Sequence, residues 1–142
     1  MATFWVGMLW TVGFVVAPTL FATLVDRALA GTIAGGLFRV VAWLSLACAI
    51  VLFVLLLPRR GEDRGVRSLL YLIAGMAICT LLGYFCLQPY MATLREAMHA
   101  AASIDAAQLA EAKKHFGILH GISTAFYVVQ SLLGVALVLK VR

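Results

Sequence analysis

His120 stands inside a stretch of 24 residues, Phe116 to Leu139, that carries no formal charge at neutral pH. An imidazole there can donate and accept hydrogen bonds, carry a proton or ligate a metal. Ser123, Thr124, Tyr127, Gln130 and Ser131 follow it. At about 100° per helical residue, all six polar side chains fall within about 120° of the helix circumference. Leu119, Ile122, Phe126, Val129 and Leu133 lie outside that arc, and Gly117, Gly121 and Ala125 make a small-residue strip along its edge. The stretch therefore reads as a membrane helix with one lipid-compatible side and one polar seam, long enough to cross about 30 Å of hydrocarbon.

Other residues could share that seam's chemistry. Arg39 and Trp43 are four apart on one helical face, which suits either an interfacial anchor with a snorkelling stem or an anion contact. Arg39, His120, Ser123, Thr124 and Tyr127 are expected to line one outward-opening polar cavity, because a guanidinium and an imidazole at bilayer depth need water or polar partners. His120 itself has two readings, a hydrogen bond that holds a neighbouring helix or a ligand to a metal. Met8, Met76, Cys48 and Cys79 supply soft donors for copper, although core packing also accounts for them. Haem held by two histidines within one chain is disfavoured, since His99 and His115 lie outside the spans. His115 and His120 are about 140° apart around a helix, a poor spacing for shared ligation. Metal and cofactor both stay unknown at this level. No phosphate-binding P-loop, GxSxG, HExxH or CxxCH motif occurs, so the chain reads as non-enzymatic.

The elements that must position these residues follow from composition. The 142 residues are 64% hydrophobic and 12% charged, and the mean hydropathy is +1.05. Soluble domains are about half apolar and about a quarter charged, so this is an integral membrane protein of one domain, 1–142. The expected fold is all-α, a four-helix bundle with spans at about 4–24, 40–57, 68–88 and 116–139. The first apolar run lacks a basic leader and reads as an uncleaved span. In it Gly13 and Ala17 suit close helix contact, Pro18 a kink, and Trp5 and Trp10 interfacial anchoring. Residues 28–38 suit either the start of a long second helix or a short interfacial one. In the third span Gly75, Cys79 and Gly83 form a close-packing strip, Thr80, Tyr84 and Gln88 a weakly polar one, and Pro89 marks a kink. Residues 90–115 read as an extramembrane helical hairpin that carries helices 3 and 4 out of the bilayer, with an Asp105–Gln108 capping box at its turn.

Orientation rests on the cations. Arg59, Arg60, Arg64, Arg67, Lys140 and Arg142, against Glu62 and Asp63, give one side +4. Arg27, Arg39, Arg95, Lys113 and Lys114, against Asp26, Glu96, Asp105 and Glu111, give the other +1. Both termini are expected in the cytoplasm. The excess of cations at helix ends points to lipid headgroups rather than nucleic acid.

Three segments, Gly13-Phe-Val-Val-Ala-Pro-Thr-Leu-Phe21, Ala30-Gly-Thr-Ile-Ala-Gly-Gly-Leu-Phe-Arg39 and Phe116-Gly-Ile-Leu-His-Gly-Ile-Ser123, together resemble the transmembrane-protein-two-hundred-five-like family. The resemblance spans nearly the whole chain and lies in the order and spacing of the segments. It implies four transmembrane helices, an Ala-Pro-x-x-Phe kink on the first and a Phe-x-x-x-His-x-x-Ser motif opening the fourth. The matching positions are Pro18, Phe21, Gly31, Phe38, Arg39, Phe116, His120 and Ser123. Four residues after Ser123, where the family often has asparagine, this chain has Tyr127. The family's bacterial branch is a domain of unknown function, which implies a multi-pass protein of the bacterial inner membrane.

The function expected is that of a binding, accessory or assembly component in the lipid bilayer. A homo-oligomer or a membrane-protein partner is compatible with it. Two alternatives stand beside it, a small transport or copper-handling protein and a redox protein holding haem or quinone.

Overall fold

Asp26 starts the second helix, three residues after the first ends at Thr23. Its Oδ1 accepts hydrogen bonds from Ala28 N at 2.8 Å and Leu29 N at 3.1 Å, satisfying two of the amides that the first helical turn leaves unpaired. The computed structural model describes residues 1–61, 64–101 (backbone alone at 99–101) and 106–141. The secondary structure of these residues is entirely helical. Four helices result: α1 (Ala2–Thr23), α2 (Arg27–Leu56), α3 (residues 64–101) and α4 (Ala106–Val141). Each is long and apolar enough to cross a membrane, and the chain is a multi-pass all-α protein.

Helix α2 is continuous, which resolves the two readings of residues 28–38 in favour of one long helix. Gly31, Gly35 and Gly36 do not interrupt it, because flanking Ala and Leu residues are strong helix formers. A 3-10 turn at Leu57–Arg59, carrying Pro58, then stops it. Asp105, the first residue of the expected capping box, lies outside the described residues.

Both helices with an internal proline carry a π-helical segment just ahead of it. In α1 a π-helical segment, Thr11–Val16, precedes Pro18, and Ala17 N donates five residues back to Val12 O. In α3 a π segment, Leu81–Cys86, precedes Pro89. A proline cannot donate to the fourth residue back, and a widened turn is one of the local adjustments that accommodate this in a helix.

The packed core lies at the end of the bundle that holds Ala2 and Leu137. Trp5, Leu9, Ile73, Met76 and Leu137 are fully buried there, together with Val41, Cys48 and Ala49. Trp5, expected at an interface, is 0% exposed; it fills the space where all four helices meet, while Trp10 keeps 45% of its surface. Gly134 allows this closeness, since a β-carbon there would come within 2.8 Å of Val6 Cγ2 and 3.3 Å of Met76 Cε. The strip on α3 packs as its spacing predicts. A β-carbon on Gly75 would meet Leu133 at 3.2 Å and one on Gly83 would meet Phe126 at 3.1 Å. Phe126 and Leu133 therefore face α3 rather than lipid. Lys140 Nζ donates to Ser68 Oγ at 2.6 Å and ties the far ends of α3 and α4.

From that shared end α3 and α4 extend about 55 Å each and α1 only about 33 Å, at 1.5 Å per residue. The α3–α4 pair thus outreaches a hydrocarbon core of about 30 Å.

Candidate functional site

Beyond the packed core the four helices separate around a cavity of ≈ 790 Å³. Each contributes one face. From α1 come Leu9, Gly13, Phe14, Pro18 and Phe21. Helix α2 presents Arg27, Gly31, Ala34, Phe38, Ala42 and Ser45, three or four residues apart and therefore on one side. Helix α3 presents Thr80, Tyr84, Gln88, Met91 and Arg95, and α4 presents Lys113, Phe116, His120, Ser123, Thr124, Tyr127 and Gln130. The weakly polar strip of α3 and the polar seam of α4 thus face one space. Both π segments border it through Gly13, Phe14, Gly83 and Tyr84.

The seam's polar groups are differently engaged along its length. Phe116 stacks on His120 with ring centroids 6.1 Å apart and planes 7° from parallel. The Arg95 guanidinium lies over the other aromatic partner, 5.8 Å from the Phe116 centroid, within cation–π range. Ser123 Oγ and Thr124 Oγ1 donate to His120 O at 3.1 and 2.8 Å. Their hydroxyls are committed to the helix backbone rather than to the imidazole. Tyr127 Oη donates to Leu9 O at 2.5 Å, joining α4 to α1. Its ring sits against Gly13, where a β-carbon would come within 2.7 Å of Cζ and Oη, and its edge contacts include Phe14 and Phe38. At the inner end Gln130 Nε2 donates to Thr80 Oγ1 at 3.0 Å, and Thr80 Oγ1 donates to Met76 O at 3.1 Å. Ser131 passes into the core, where its Oγ has no hydrogen-bond partner among the described residues.

Four of the five residues singled out from the sequence, His120, Ser123, Thr124 and Tyr127, line this cavity. Arg39 does not. It lies in an adjoining cleft of ≈ 520 Å³ with Thr32, Gly36, Trp43, Phe85 and Pro89. One residue step turns a helical side chain by about 100°, so Phe38 takes the cavity position and Arg39 the cleft. Gly35, Tyr84, Gln88 and Arg95 border both spaces. Seven of the eight positions that carried the family resemblance line the cavity, Arg39 being the exception.

The seam alone did not disclose Arg27, Arg95, Lys113 or Ser45. Their signal was helical spacing: Lys113 continues the seam two turns outward, and Arg27 and Ser45 stand at the two ends of the Gly31–Phe38 face. No acidic residue lines the cavity among the described residues, and none pairs with Arg27, Arg95 or Lys113. Nor do these residues hold three His, Cys, Asp or Glu together in a metal-ligating group. Cys79 reaches the wall beside Thr80, whose partner Gln130 is ten residues from His120, about 15 Å along the helix. That is too far for one metal ion to bridge His120 and Cys79.

A family model described as domain of unknown function DUF4149 matches residues 1–100. The chain belongs to that family. The match covers α1, α2 and nearly all of α3, which are three of the cavity's four walls. Neither the curated proteins nor the solved structures give a match.

Proposed function

We propose that this DUF4149 chain is a non-enzymatic binding component of the membrane, which holds a small molecule between its four helices and serves an accessory or assembly role. The observation that carries this reading is the convergence of the resemblance positions and of two polar strips on one cavity of ≈ 790 Å³. Ligand sites are commonly about 300–1,000 Å³, mostly apolar with a few polar groups. A binding wall fits the hydroxyls better than a reaction centre does, because Ser123, Thr124 and Tyr127 spend their protons on backbone carbonyls. A nucleophile needs a base within hydrogen-bond reach. The same convergence supports the finer kinship with the transmembrane-protein-two-hundred-five-like family.

The resemblance to a bacterial family supports the inner membrane, and the cation bias supports both termini in the cytoplasm; the cavity then opens outward, toward the end that holds Arg95 and Lys113. Cysteines at Gly61 and Lys114 should label from opposite sides of the membrane; labelling from one side removes this topology.

Purification of the full chain in a mild neutral detergent tests the binding reading. Mass spectrometry should find a retained non-detergent molecule near one per chain. Gly31→Phe should abolish that retention, because a β-carbon at Gly31 meets only the edge of Phe21 at 4.0 Å and the ring has open cavity to fill. Retention unaffected by Gly31→Phe, or no retained molecule, overturns the reading.

A further inference from the structure

The cavity's charge is unbalanced and its shape is elongated, and together these features specify a chemical class of ligand. Resting on the binding role above, we propose that the occupant is an anionic amphiphile with a single alkyl chain, its acidic head at Arg27, Arg95 and Lys113 and its chain running inward past Phe38 toward Ser45.

Three cations at one end of the space have no carboxylate partner among the described residues. Arg27 opens α2, Arg95 is on the outer part of α3 and Lys113 is on the second turn of α4. All three stand at the end of the cavity away from the packed core, and basic groups near a membrane surface attract acidic headgroups. Arginine forks recognise carboxylate and phosphate oxygens by paired hydrogen bonds. Arg95 is already oriented by Phe116, which lowers the ordering cost of binding.

Below the cations Phe14, Pro18, Phe21, Ala34, Phe38 and Met91 give the wall a continuous apolar side, opposite the polar strips of α3 and α4, whose Ser123, Thr124 and Tyr127 hydroxyls are already bonded to backbone carbonyls. The space follows α2 from Arg27 to Ser45, about 27 Å at 1.5 Å per residue. At its inner end Thr80 and Gln130 satisfy each other, so they place no unmet demand on a hydrocarbon terminus. Ser45 alone there is 1% exposed with an unpartnered Oγ. One extended alkyl chain with its acidic head follows that length.

The test titrates the detergent-purified full chain with palmitate, with hexadecanol and with a two-chain phosphatidylglycerol, read by native mass spectrometry. Palmitate should bind one per chain, about tenfold or more tighter than hexadecanol. Arg95→Gln combined with Lys113→Gln should weaken palmitate by a similar factor and leave hexadecanol unchanged, with Arg27→Gln as an independent variant at the same end. Gly31→Phe should exclude both. Equal binding of palmitate and hexadecanol, or indifference to the charge variants, overturns the acidic class, while sensitivity to Gly31→Phe would still uphold the binding role. Tighter binding of phosphatidylglycerol than palmitate overturns the single-chain assignment. Palmitate binding unaltered by Gly31→Phe places the acid outside the cavity and overturns the inference.

Discussion

Small residues serve close contact at the packed end of the bundle and leave open surface at the other, with Gly7 the exception at the packed end. At the end that holds Ala2 and Leu137, Gly134 and Gly75 let side chains from neighbouring helices press onto bare backbone. At the other end Gly36, Gly117 and Gly121 have nothing within 4 Å of where a side chain would start. The large residues differ in the same sense. Trp5, Leu9, Ile73 and Met76 interlock across helices, whereas Phe14, Phe21 and Phe38 stand around a void. Lipid tails are as apolar as leucine, so helices gain from close packing rather than from hiding apolar surface. Close contact of this kind holds all four helices in the packed half, while α3 and α4 stay paired along the hollow half.

That contrast is broken most directly at Gly134. Gly134→Leu places a branched side chain onto Val6 and Met76, and overpacking of this kind costs about 1–3 kcal/mol or more. It should give the largest loss of stability against denaturation in detergent. Gly83→Leu should follow, at about 1–3 kcal/mol, because its nearest neighbour, Phe126 Cβ at 3.1 Å, leaves more room than the 2.8 Å approach at Gly134. Leu82→Ala, at a residue 40% exposed, should cost clearly less than Gly83→Leu; equal losses would mean that α3 packs through another face. Tyr127→Phe removes the hydroxyl that reaches Leu9 O and keeps the ring against Gly13. Its cost should be about 1 kcal/mol, the net value of one hydrogen bond. The smallest effect belongs to Gly121→Leu, within about 0.5 kcal/mol as for surface changes. A large loss there would show that the open strip is covered by another chain in the membrane.

The fold was legible in one dimension because a bilayer constrains backbone strictly. Every amide that crosses it must be bonded internally, so a charge-free run of about 20 residues can only be a helix. The α3 packing strip was legible for a related reason, since small residues four apart mark where backbones approach. Trp5 was not legible, because tryptophan suits both an interface and a core, and only the meeting of four helices at Ala2–Leu9 decides between them.

The sequence by itself determined the number of helices, their apolar character and the polar seam from His120 to Ser131. Periodicity along one helix is enough to place residues on a common face. Which faces meet is a property of crossing and rotation, and the sequence of one helix does not encode its neighbour's rotation. Tertiary structure alone therefore brought Arg27, Arg95 and Lys113 onto the same space as His120 and turned Arg39 into the adjoining cleft. The deciding quantity is the rotation of about 100° between Phe38 and Arg39. At that step the aromatic ring faces the cavity and the guanidinium does not.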